Sequence, residues 1–216
     1  MVPNMPLRRL ATMVIGAAGI LASVSCGQVA RTGRSPAYLI VDSMQAASGA
    51  DPEQFSTILH SDVQTIVEQT VGNQTVQVPT FFNDIGQVTF RLGLKNPGPA
   101  AEPLTPSGLN AVTINRYHVS YRRTDGRNTQ GVDVPYAFDG SFTITVSGEN
   151  RATAGFDLVR HQAKLEPPLS RLTGLGSALF ISTIAEITFY GHDQAGNEVM
   201  GTATISINFG DFADPD

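Results

Sequence analysis

Residues 185–209, AEITFYGHDQAGNEVMGTATISINF, constrain the fold more than any other stretch of the chain. Ala185, Ile187 and Phe189 fall on one side of an extended backbone, with Glu186, Thr188 and Tyr190 on the other. Further on, Val199, Ala203, Ile205, Ile207 and Phe209 alternate with Met200, Thr202, Thr204, Ser206 and Asn208. A period of two over this length predicts two half-buried antiparallel strands. Between them, Asp193 can bond its own backbone, and Gly196 and Asn197 tolerate positive φ, so the segment predicts a tight turn. A slip of one residue would turn the whole apolar set into water, which fixes the register.

The rest of the chain is punctuated by 21 Gly and 13 Pro and is only 15% charged, a balance that suits an all-β domain. Residues 38–43 predict an opening strand. Asp51, Pro52 and Glu53 carry an N-cap, a first-turn proline and an acidic first turn, so one short helix is expected near 52–59. Residues 60–69 combine helical spacing with β-branched content and stay open between strand and helix, leaning to strand. Strands are expected at 75–78, 87–95 and 112–123, the last with Tyr117, Val119 and Tyr121 inward. The proline-dense loop 96–108 separates the last two. Residues 132–136 read as a short edge piece blunted by Pro135. Residues 141–147 and 152–162 read as a hairpin turning through Gly148, Glu149 and Asn150. The expected architecture is an antiparallel β-sandwich of about seven to nine strands in one domain over 38–210, with an acidic tail at 211–216 expected to fray.

Two regions carry a resemblance. The Asp193-Gln-Ala-Gly-Asn197 turn and the Thr/Ile strand after it resemble the last hairpin of bacterial immunoglobulin-like and fibronectin-type-III-like domains. Ile114, Tyr117, Val119 and Tyr121 are similar to the third strand of a fibronectin-type-III domain. The chain departs from that pattern in having no tryptophan, and in placing Ala185 where the penultimate strand would carry a tyrosine. The resemblance implies an immunoglobulin-like β-sandwich and implies no activity.

The amino terminus predicts export. Arg8 and Arg9 precede an uncharged, mostly apolar run of 15 residues, 10–24, short for a membrane span and suited to a signal-peptide core. It ends Ser23-Val24-Ser25-Cys26, with the chain's one cysteine last. This resembles a bacterial lipobox, which implies a signal peptide over 1–25 and a covalent lipid on Cys26; ordinary cleavage near the same point is the alternative. Acyl chains would attach the protein to a membrane without a spanning helix. Gly27 after the cysteine implies, by likeness to enterobacterial sorting, the outer membrane. Residues 26–37 then read as a flexible tether. Of 14 basic residues, 12 remain once Arg8 and Arg9 are removed, against 19 acidic, a formal −7 that argues against nonspecific nucleic-acid binding.

Candidate chemistry is sparse. His60, His118, His161 and His192 show no H-x-x-x-H or H-E-x-x-H spacing, and no nucleophile elbow or phosphate loop occurs. Asp193 and Asn197, with the terminal Asp211, Asp214 and Asp216, offer hard oxygen ligands that would suit calcium; the alternative is that Asp193 and Asn197 only close their turn. Arg116, His118, Arg122 and Arg123, with Arg127 near, form an outward basic row able to hold an anionic glycan or phosphate, unless neighbouring acids pair it. The sequence therefore points to a noncatalytic, lipid-anchored binding or structural module of the envelope, with an envelope protein or glycan as partner and no cofactor beyond the lipid. A carbohydrate-binding module is the alternative.

Overall fold

The computed structural model describes residues 34–212. The predicted signal peptide, Cys26, and Asp214 and Asp216 lie outside the described residues. Among those described, eleven strands follow in order: β1 (Ala37–Ala47), β2 (Ile58–Asp62), β3 (Thr65–Val71), β4 (Gln74–Thr80), β5 (Asp84–Leu94), β6 (Val112–Arg122), β7 (Phe138–Gly140), β8 (Ile144–Val146), β9 (Ala152–Val159), β10 (Ile181–Asp193) and β11 (Glu198–Gly210). A five-residue helix, α1 (His161–Leu165), stands between β9 and β10.

The fold is an all-β sandwich. One sheet runs β1-β5-β9; the other runs β2-β11-β10-β6-β7, with β8 also on β6. β10 and β11 pair in the register their alternation predicts, from Ile181 opposite Phe209 to His192 opposite Glu198. Their inward residues Ala185, Ile187, Phe189, Ile205, Ile207 and Phe209 are buried. Aromatic rings join the sheets: Phe90 of β5 meets Phe189 of β10 edge-on at 4.9 Å, and Phe156 of β9 meets Tyr117 of β6 at 4.9 Å. Side chains from both sheets form a single apolar cluster, burial that is the main favourable term for such a domain.

Several expectations are corrected. Residues 51–53 form a turn, not a helix: the Gln54 amide donates to the Asp51 carbonyl, and Ser56 then bridges to Ala46. The chain goes straight into β2, which pairs with β11 in parallel, a departure from the all-antiparallel expectation. That pairing gives the backbone of 58–62 partners that a marginal two-turn helix would not match. The open segment 60–69 is extended, divided between β2 and β3. β3 and β4 form an exposed two-stranded arm apart from both sheets.

The hairpin expected across 148–150 does not form. β8 bonds to β6 and β9 to β5, so this connection crosses from one sheet to the other. Residues 131–133 make a turn, and Val134 bridges to Gln130 alone instead of joining an edge strand. Within the expected tether 26–37, Ser35 and Ala37 are buried and the Ala37 amide donates to the Ser35 hydroxyl, so residues 35–37 pack with the sandwich, while residues 26–33 lie outside the described residues. The tail does not fray at its start. Asp211 is buried and accepts from the Gly174 amide at 2.5 Å, and the Phe212 amide donates to Asp62 at 2.9 Å. The loop 96–108 is exposed, as its prolines predict.

Candidate functional site

The outer face of the six-stranded sheet carries the row predicted from β6. Between Ile114 and Arg116 the pairing with β10 shifts: Arg116 lies opposite Tyr190 and Ile114 opposite Gly191, which leaves Asn115 as an extra residue. This is a β-bulge, a device that re-aims side chains. It turns Asn115 and Arg116 both outward, while Ile114 and Tyr117 stay in the core. Gly191 makes the bulge possible, since a Cβ there would sit 2.3 Å from the Thr113 carbonyl oxygen and 2.9 Å from Ile114 Cα.

Two depressions flank the bulge and share Asn115 and Arg116. One, of about 290 Å³, is also lined by Tyr190, His192, Glu198 and Met200. The other, of about 510 Å³, reaches Asp139, Gly140 and Ser141. The Arg116 guanidinium lies over the Tyr190 ring at 4.1 Å and 3.8 Å from Asp139. His118 Nδ1 is 3.3 Å from the same carboxylate. Arg116 is thus held between a ring face and an acid while its side chain stays largely exposed.

The remaining cations of the row are paired with neighbouring acids. Arg122 bonds Glu186 across the β6–β10 pair. Arg123 and Arg127 both grip Asp125, at 2.7 and 2.9 Å, and Arg123's hydrogen bond is the first cause of an Asp125 pKa lowered to about 2. The four residues expected as one anion-binding row all face acids: Arg116 and His118 share Asp139, Arg122 takes Glu186 and Arg123 takes Asp125, and of the four Arg116 lines the depressions.

Asp193 closes its own turn. Its Oδ1 accepts from the Ala195 and Asn197 amides, both at 2.9 Å, and its Oδ2 from the Asn197 side-chain amide at 2.9 Å. Burial pushes its pKa up, but the bonds from Asn197, Ser35 and Ala195 together bring it below the ordinary carboxylate value. Among the described residues, no three His, Cys, Asp or Glu side chains converge as a metal-binding group. His60 packs edge-on against Phe212, and His161 is bonded to Asn83, so the four histidines serve separate places.

The sequence reading missed a buried ionic cluster. Lys164 of α1 reaches Asp84 at the start of β5 with Nζ–Oδ1 of 2.8 Å, side chains 1% and 0% exposed. The Ser61 hydroxyl donates to Asp84 Oδ2 at 2.5 Å, and the Gly49 amide to Oδ1 at 2.9 Å. Asn83 caps α1 from outside, accepting from the His161 amide at 2.7 Å. Desolvation raises the Asp84 pKa against the opposing pull of Lys164, Ser61 and Gly49. Tyr121 lies near, donating to the Leu158 carbonyl at 2.7 Å, and burial pushes its phenol strongly up. Serine, lysine and aspartate together resemble catalytic chemistry, yet this group is closed off from solvent. Its polar atoms bond one another, as buried charge requires. A lysine in a short helix gives no hint in sequence that it will be buried.

No protein-family model matches the chain, and no curated protein matches it in sequence.

Proposed function

We propose that this chain is a noncatalytic binding or structural module of a bacterial envelope, lipid-anchored at Cys26, sorted to the outer membrane and presenting the outer face of its six-stranded sheet. The observation that carries the reading is the bulged recess at Asn115 and Arg116, the place where a rigid sheet offers unburied polar side chains in a preset arrangement. Rigid scaffolds with local irregularities suit recognition. The sealing of Ser61, Asp84 and Lys164 supports the noncatalytic part, because a reacting group must reach its substrate. The exposed loop 96–108 and the Arg-braced turn at 125–131 are further contact surfaces on this reading.

A carbohydrate-binding role is the second reading. It is favoured by Tyr190, an outward aromatic of the kind that the inward Tyr117 and Tyr121 do not supply.

The anchor is tested by the intact mass of the membrane-extracted protein beside its Cys26→Ala variant. A mass starting at residue 26 plus acyl chains is expected, with the variant lost to the soluble fraction. An unmodified chain in either fraction would remove the anchor.

A further inference from the structure

The recess at the β6 bulge is lined by both donors and acceptors of hydrogen bonds. Asn115 and Arg116 supply donors, Asp139 and Glu198 supply acceptors, and His192 and Ser141 supply either. An oxyanion accepts only, so phosphate or sulfate would satisfy Arg116 while facing Asp139 and Glu198 with like charge. A cation meets the converse obstacle at Arg116. A hydroxyl both donates and accepts, and adjacent hydroxyls match planar two-pronged side chains such as guanidinium, amide and carboxylate.

We propose that this recess binds a hydroxyl-rich saccharide, with Asn115, Arg116 and Glu198 taking ring hydroxyls and Met200 contacting its apolar C–H face beside Tyr190, whose ring carries the Arg116 guanidinium. The inference rests on the binding-module reading and names the ligand class of that site. Met200 is 61% exposed on a strand whose inward neighbours Val199 and Gly201 are buried, so it offers thioether and methylene surface beside the polar groups. Two depressions sharing Asn115 and Arg116 suit an extended chain of sugar units better than one compact molecule. Arg116, already held by Tyr190 and Asp139, gives up little conformational freedom on binding. Gly191 sets the whole arrangement, because the bulge needs its missing side chain.

The test places the detergent-solubilised full chain on an array of neutral, N-acetylated and uronate-bearing oligosaccharides. Kd is then measured for the best ligand with Arg116→Ala, Asn115→Ala and, as control, Arg151→Ala on the opposite sheet. The expected result is binding to a neutral or N-acetylated chain, weakened about tenfold or more by Arg116→Ala and Asn115→Ala and unchanged by Arg151→Ala, whose side chain pairs with Asp42 of β1. The class that binds separates a neutral from an N-acetylated glycan, and binding of uronate-bearing chains alone would overturn the proposal, since their carboxylates meet Asp139 and Glu198 with like charge. Failure of every saccharide to bind, or full displacement of the sugar by inorganic phosphate, would overturn the ligand class. Saccharide binding that survives both recess substitutions would overturn the site and leave the binding module standing. The anchor is judged separately by the Cys26 experiment.

Discussion

Asp84 and Asp139 are the same side chain put to opposite uses. Asp84 is 0% exposed and tied to Lys164 at 2.8 Å, whereas Asp139 is 60% exposed and stands 3.8 Å from Arg116. In the interior each charge needs a partner for the fold to tolerate it, so the cluster fixes α1 against the sandwich and leaves nothing for a ligand. On the outer face water screens the pair, and the same chemistry stays available to a second molecule. The location of a charge, more than its identity, separates what holds this protein together from what it can bind.

The comparison breaks most visibly at Lys164. Lys164→Ala strands a buried carboxylate and should cost about 3–5 kcal/mol in urea unfolding, while Lys164→Met with Asp84→Asn should cost less than the single change. A loss no larger than that of a surface substitution would show that the cluster does not hold α1. Tyr121→Phe, which orphans the buried Leu158 carbonyl, should cost about 1–2 kcal/mol by the same measurement.

Asp193→Ala removes three hydrogen bonds from the β10–β11 turn and should cost about 1 kcal/mol at neutral pH. Because its pKa is lowered in the folded state, Asp193 stabilises above the unfolded value of 3.8 and loses that contribution as pH falls through its folded value. Wild type and variant should therefore converge in stability on the acid side, and a gap that persists unchanged there would count against the carboxylate as its source. Arg122→Ala breaks an exposed pair and should shift stability by about 0–1 kcal/mol. Arg116→Ala should leave unfolding within about 0.5 kcal/mol of wild type, so that a loss of saccharide affinity in this variant would not be a loss of stability.

The closing hairpin was legible because a period of two over two long runs leaves one register. The bulge left a trace as well: Val112 and Ile114 keep one phase, and Tyr117, Val119 and Tyr121 keep the other. The three-residue step from Ile114 to Tyr117 marks the inserted residue, and Gly191 across from it is the second sign. By contrast, the turn chemistry at 148–150 predicted a hairpin because local signals cannot say which sheet supplies the next partner. Proline and acid at 52–53 signalled a helix, but pairing of the next residues with β11, distant in sequence, overrode them. The Asp84–Lys164 contact joins residues 80 positions apart, and no periodicity reports it.

Hydroxyl-radical footprinting of the full chain, with and without its best array oligosaccharide, tests the recess most directly. Tyr190 and Met200 are oxidisable side chains at the proposed site, and both should lose reactivity when the sugar is present. Protection confined to Val71 and Val76 of the β3–β4 arm, with Tyr190 and Met200 unchanged, would contradict the account and move the binding surface to that arm.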